Sequence, residues 1–309
     1  METTTLLGLV GHTPLVELAQ MSPKRGIRIY AKLEGQNPSG SVKDRIVLAM
    51  VEAAERSGRL KPGGVIVEAS SGNTAIALAM VGKQKGYRVR VVIPRRVAPS
   101  IKDILHILGA EVTWCESRGG MKRAIELAAA LAQQEGYYYL GQFTDEVNIQ
   151  AHFYGTGTEV VEALPQVDAL VAGIGTGGTI MGVGLRLRQV NPNVLIVGVE
   201  PRMGDRLQGL RNLSEGYPPP LLRLDQLDGR YLVDSASAVN ATQAIVAKEG
   251  LFAGVSSGAT LYAALRLAKK MRRGNIVVMF SDAGWKYLPS RPWGATARHT
   301  RTLDEVHWW

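Results

Sequence analysis

Cysteine is almost missing from this chain of 309 residues: Cys115 stands alone. A disulfide framework and a cysteine-held zinc cluster within the chain are both excluded. That thiol closes an apolar run with no basic neighbour in sequence, so it reads as a packed side chain. Scarce cysteine suits a reducing cytoplasm. Aromatics are also few, at 6% of residues. No apolar run approaches the roughly 20 residues of a membrane-spanning helix. The start, Met1-Glu2-Thr3-Thr4, lacks the basic and apolar parts of a secretory signal. The expectation is a cytoplasmic protein without membrane contact. His12, His106 and His152 have no metal-ligand spacing, so no metal is expected. Net charge is +9, yet Lys and Arg are scattered, with small groups such as Arg95-Arg96. Nucleic-acid binding would need clustered charge with aromatics or a known module. A preference for small anionic substrates stays open, and Arg95-Arg96 is either a solvated pair or a steering group for them.

Glycine, by contrast, is plentiful at 35 residues, and 46% of the chain is hydrophobic. Apolar strand-like runs cover 27–33, 65–68, 88–93, 111–114, 137–140, 170–172, 195–200 and 276–280. Helical patterns cover 46–56, 74–85, 100–108, 121–134, 155–163, 179–189, 238–248 and 260–271. Near-continuous Val, Ile and Leu strands indicate sheets covered on both faces. The alternation predicts right-handed βαβ units and mostly parallel α/β layering. The segment 204–229, with Pro218-Pro219-Pro220, has little periodicity and reads as a long functional loop.

Three stretches carry candidate chemistry. In Asn37-Pro38-Ser39-Gly40-Ser41-Val42-Lys43-Asp44-Arg45, Lys43 falls at a loop-to-helix junction. The positive end of a helix dipole disfavours a cation there. A neutral amine is what a nucleophilic lysine requires; a solvated lysine near a cap is the bland alternative. Ser70-Ser71-Gly72-Asn73-Thr74 follows a strand. Gly173-Ile174-Gly175-Thr176-Gly177-Gly178-Thr179 also follows a strand and opens a helix, an arrangement that offers N–H groups to a phosphate. A dinucleotide fingerprint fits this third stretch loosely, with Glu200 at the end of the next strand as its acidic partner. Gly254-Val255-Ser256-Ser257-Gly258 precedes another helix and reads by itself as an N-cap.

Taken together these motifs, in this order, make the chain resemble the cysteine synthase family of pyridoxal phosphate enzymes, from Gly11 to about Tyr287. Gln142-Phe143, Asn148 and His152 fit as well. The resemblance implies fold type II, the tryptophan synthase β-like architecture: two open, mostly parallel α/β/α domains with the cofactor in the cleft between them. A large domain would comprise 11–36 and 150–290 and a small mobile one 37–149, with an N-terminal arm at 1–10 and a tail at 291–309. It implies that Lys43 forms the internal aldimine with pyridoxal 5′-phosphate. Asn73 would bond the ring hydroxyl, Gly175, Thr176, Gly177, Gly178 and Thr179 would hold the phosphate, and Ser256 would face the pyridine nitrogen. Ser70, Ser71, Gly72, Thr74 and Gln142 would grip the amino-acid substrate; the family usually has Thr where Ser70 stands. Asp282 is more readily structural than cofactor-bound.

The implied reaction makes L-cysteine from an activated serine and a sulfur donor through an aminoacrylate. The segment Leu210-Arg211-Asn212-Leu213-Ser214-Glu215-Gly216 resembles the cysteine synthase M branch, in particular its O-phosphoserine sulfhydrylases. There Arg211 would bind the substrate phosphate, which a planar guanidinium matches in charge and shape. A small sulfur-carrier protein and a homodimer are the partners implied. The tail, ending in Trp308-Trp309, would cover the active-site mouth or a dimer interface. O-acetylserine with sulfide or thiosulfate, cystathionine synthesis, and a non-catalytic protein keeping the fold are the alternatives.

Overall fold

A computed structural model describes residues 4–94, 99–116, 120–205, 207–214, 218–290 and 306–308. Arg95-Arg96 lies outside them. Two sheets organise the chain. The larger is built from β1 (Leu15–Glu17), β2 (Ile27–Leu33), β7 (Ala169–Gly173), β8 (Leu195–Pro201), β9 (Gly229–Val233), β10 (Gly274–Phe280) and β11 (Val306–Trp308). Their order is β1-β2-β10-β7-β8-β9-β11, and the inner five strands are parallel. The smaller contains β3 (Val65–Ala69), β4 (Arg88–Pro94), β5 (Glu111–Cys115) and β6 (Tyr137–Tyr139), all parallel, in the order β5-β4-β3-β6.

Alternation along each strand feeds two cores, as the period of two requires. In the large sheet, Ile29, Ala31, Val197, Val199, Ile276 and Val278 turn to one face. There they meet Ile245 of α8 (Ser235–Glu249) and Leu261, Ala264 and Leu267 of α9 (Val255–Lys270). Tyr30, Leu170, Ile196, Val277 and Met279 turn to the other face, against Ile180, Val183 and Leu187 of α7 (Gly178–Val190). The small sheet is covered likewise. On one side lie α1 (Lys43–Arg56), α2 (Asn73–Lys85) and α3 (Pro99–Ile107), and on the other α4 (Gly120–Leu131). Each fully buried Val, Ile or Leu contributes roughly 1.5–3 kcal/mol, which is why strands apolar on both faces appear only inside such layers.

Besides the strand β11 in the tail, two elements depart from the sequence reading. β9 was not expected, because Gly229-Arg230-Tyr231-Leu232-Val233 is short and interrupted by an arginine. Arg230 is accommodated by an ion pair with the buried Glu200. Residues 147–163 form one continuous helical stretch: α5 (Val147–Ala151), a π-helical turn over His152–Gly157, and α6 (Thr158–Ala163). The widened turn brings His152 inward, where it is fully buried.

Candidate active site

The C-terminal ends of strands from both sheets converge on one cleft of about 610 Å³. Ala69 at the end of β3, Gly173 of β7, Pro201 of β8 and Ser281 just past β10 line it. This is the position where open parallel sheets place ligands.

Lys43 is the first residue of α1 and lines this cleft. Its amine is lowered from 10.5 to about 8. Burial is the largest cause, Asp282 opposes it, and Lys286 pushes further down. The helix junction foreseen from the sequence is there, but desolvation does most to favour the neutral amine.

The other residues of the lysine stretch hold it in place. Ser39 donates from its backbone N–H to Asp44 Oδ2 at 2.6 Å, and its hydroxyl bonds Oδ1. Asn37 donates to Glu34 Oε2 at 2.9 Å and accepts from the Gly11 N–H at 2.8 Å. Arg45 makes two bidentate pairs. One is with Glu34 (2.7 and 3.0 Å), the other with Glu159 on α6 (2.6 and 2.7 Å). Lys32 of β2 completes the network by donating to Glu159 at 2.6 Å. Burial pushes the Glu159 carboxyl up, but the Arg45 and Lys32 bonds outweigh it and the net value falls to about 2.

Thr176 to Thr179 wrap the N-terminus of α7. Gly177 has φ +90°, and a Cβ on it would meet the Leu222 backbone at 2.9 Å. A Cβ on Gly178 would collide with the Asn148 amide. Glycine is thus required at both positions; the Gly178 N–H turns back to Thr176 Oγ1 at 3.4 Å, while Gly175, Thr176, Gly177 and Thr179 line the cleft. Asn148 donates to Thr176 Oγ1 at 3.1 Å. His152 bridges Thr156 (2.9 Å) and Thr179 (3.1 Å). Burial first, then the Lys43 and Arg45 charges, hold the His152 ring well below its usual range, hence neutral. If its Nε2–H donates to Thr179, that hydroxyl is left to donate to a phosphate.

Across the cleft, Ser70, Ser71, Gly72, Asn73 and Thr74 form the turn into α2 and all line the cavity. The Ser70 hydroxyl accepts from the Gly72 and Ala75 N–H groups, both at 3.3 Å, so it caps this turn. Thr74 donates to Gln142 Oε1 at 2.7 Å. Gln142 is held in turn by the buried Glu68, which accepts its backbone N–H at 3.1 Å and its side chain at 3.4 Å. Burial raises the Glu68 carboxyl to about 7. Ser256, buried in the first turn of α9, faces the same cavity. Arg211 also lines it, its guanidinium 4.5 Å from the Phe143 ring centroid. The Arg211 backbone N–H is pinned to Ile174 O at 2.9 Å.

Every residue expected at the site except Gly178 therefore borders one cavity; Gly178 packs behind the lining against Asn148. Three participants were not foreseen. Glu68 interrupts a strand that is otherwise wholly apolar and buried, and that interruption is a signal for a buried partner. Lys286 and Tyr287 follow the last strand, and both reach the Asn73–Asp282 pair. Glu200 has another role than the acidic partner of a dinucleotide site. It accepts the Leu213 N–H at 2.6 Å and pairs with Arg230, away from the cleft lining.

A glycine cradle with threonine hydroxyls, a half-buried lysine whose amine is lowered to about 8, and a serine at the opposing helix end together fit pyridoxal phosphate, and define a fold type II α/β enzyme. The family described as "Pyridoxal-phosphate dependent enzyme" matches residues 6–282. A cysteine synthase of Staphylococcus aureus is 39% identical over 290 residues, covering 91% of this chain and 94% of that one. Among solved structures, O-ureido-L-serine synthase superposes with a TM-score of 0.90 at 32% identity, covering 97% of this chain and 98% of that one. The cysteine synthase (OASS) of Entamoeba histolytica gives 0.89 at 32% identity, covering 97% and 93%. The chain belongs to the cysteine synthase family of pyridoxal-phosphate dependent enzymes.

Proposed function

We propose that this enzyme makes L-cysteine by replacing the β-substituent of an activated serine with sulfur, and that O-phosphoserine is the preferred substrate. When bound, pyridoxal phosphate supplies an electron sink for loss of the α-proton and the β-substituent. Lys43 would hold the cofactor and then carry the α-proton on its amine. Thr176, Thr179 and the N–H groups of Gly175 to Gly178 would bind the cofactor's phosphate. The start of α2 would take the substrate carboxylate, and Asn73 the cofactor's ring oxygen. Ser256 would meet the pyridine nitrogen. A hydroxyl there leaves the nitrogen free of an obligatory proton, which suits elimination.

The observation that carries the phosphate preference is Arg211. Its guanidinium borders the same cavity as Lys43 and the α2 turn, and Phe143 supports it from one face. A cation bordering that cavity supports a substrate with an anionic leaving group. Arg211→Ala should lower kcat/KM for O-phosphoserine by roughly tenfold to a hundredfold, the scale of a charge-assisted bidentate contact. O-acetylserine, whose leaving group has no anion to pair before departure, should be nearly unaffected. Phosphate and acetate release, followed on both substrates, decide it, and equal losses would remove Arg211 from this role. The second reading is an O-acetylserine enzyme using sulfide, in line with the Entamoeba relative's designation. The mobile unit 37–149, a homodimer and a small sulfur-carrier partner belong to the same proposal.

A further inference from the structure

Behind the cleft lining lies a cluster that the proposed reaction does not yet use. Lys286 is buried, 4% exposed, on the short helix after β10. It donates from Nζ to Asn73 Oδ1 at 2.6 Å. Asn73 donates from Nδ2 to Asp282 Oδ2 at 2.7 Å, and that same oxygen accepts the Tyr287 hydroxyl at 2.5 Å. Of these four residues Asn73 alone borders the cleft.

An amide has two orientations that differ by exchange of O and N, and its partners choose between them. An ammonium can only donate and a carboxylate can only accept. Exchanging the ends of Asn73 would set NH2 against NH3⁺ and C=O against COO⁻. Both contacts would turn from attractive to repulsive, between a half-buried amide and two buried charged groups where screening is weak. The amide is therefore locked with its oxygen on Lys286 and its nitrogen towards Asp282. The second amide hydrogen bonds the Tyr287 hydroxyl, a neutral acceptor that an anionic oxygen outcompetes.

We infer that Lys286 is a positioning residue: with Asp282 it locks the Asn73 amide so that bound pyridoxal phosphate meets a donor, which selects the deprotonated form of its ring oxygen. This inference rests on the cofactor orientation proposed above, with Asn73 at the ring oxygen. Burial lowers the Lys286 amine, and the Asp282 and Asp44 carboxylates oppose that shift and favour its charged form.

The test is a double-mutant cycle on cofactor binding, read by fluorescence titration and by the absorption spectrum of the reconstituted protein. Lys286→Met should weaken pyridoxal phosphate binding roughly tenfold, about one hydrogen bond of this kind, and shift the spectrum towards the shorter-wavelength form with a protonated ring oxygen. Lys286→Arg, which keeps a donor-only cation, should restore both. In an Asn73→Ala background, Lys286→Met should add nothing further, because its action passes through Asn73. Additive losses in the cycle, or an unchanged spectrum in Lys286→Met, would overturn the inference. Circular dichroism of each variant separates loss of fold from loss of the lock. If Asn73→Ala instead leaves the spectrum and affinity of the bound cofactor as in wild type, the cofactor orientation fails, and the lock loses its object.

Discussion

The lowered amine of Lys43 follows from desolvation in the cleft more than from the local run of sequence around it. Its amine titrates near 8 because the cleft floor desolvates it, and because the Lys286 ammonium adds repulsion to what Asp282 relieves. The neutral form dominates above that value and the charged form below. The rate at which apoprotein captures added pyridoxal phosphate should therefore rise with pH and level off above about 8. Stopped-flow absorbance across pH checks this, and a profile centred near the ordinary 10.5 would refute it. Residues 37–45 made Lys43 identifiable in the sequence, since their type and spacing are unusual. The same stretch gave no hint of Lys286, which is 243 positions further on by subtraction of the two numbers. Arg211 lay between these cases: its motif was legible, but its seat against Phe143 depends on a backbone bond to Ile174 that only folding creates.

At the scale of elements, the N-terminus of α1 is fixed by charge. Arg45 on α1 links Glu34, just after β2, to Glu159 on α6, so one side chain spans three segments. Among the described residues, removing it leaves the wholly buried Glu34 with no cationic partner and the mostly buried Glu159 with Lys32 alone. Arg45→Met should destabilise the protein by about 3–5 kcal/mol in urea unfolding, with Lys43 displaced and cofactor retention reduced. An undisturbed unfolding midpoint would contradict this account. Glu159 adds an acid dependence. Its folded value of about 2 lies below the ordinary 4.5, so its contribution is complete above about 4.5 and disappears as pH falls towards 2. Glu159→Gln should flatten the acid limb of the stability curve in that window. The strands and helices feeding these contacts were largely readable, because buried parallel strands are apolar throughout. β9 and the π-turn at His152 were not. The first depends on Glu200 neutralising Arg230, and the second packs closely on α7, where a Cβ on Gly182 would collide with Ile149 O.

Over the whole molecule, both sheets aim the C-terminal ends of their strands at one cleft, so residues far apart in sequence share it. The tail shows how far this geometry reaches. Val306–Trp308 runs antiparallel to β9, with Val306 opposite Tyr231 and Trp308 opposite Gly229. The cleft lies at the C-terminal ends of the parallel strands, so this segment runs away from it and covers a sheet edge instead. An uncovered edge strand invites pairing with another chain. Deleting the last five residues should therefore raise self-association in light scattering and leave the range of accepted sulfur donors unchanged. A broadened donor range with unaltered association would restore the tail as a cover for the active site.

The sequence by itself determined the α/β layering, the lysine at its helix junction, the glycine-rich loop at 173–179 and the family, because periodicity and glycine-rich turns are local and family motifs are particular residue types at fixed spacing. The tertiary structure alone decided how those pieces are tuned. The desolvation of Lys43, the Glu68–Gln142–Thr74 chain and the Lys286–Asn73–Asp282 lock arise from burial and from contacts between distant segments. Such energies depend on which groups exclude water from one another, and that is a property of the packed molecule rather than of any stretch of chain.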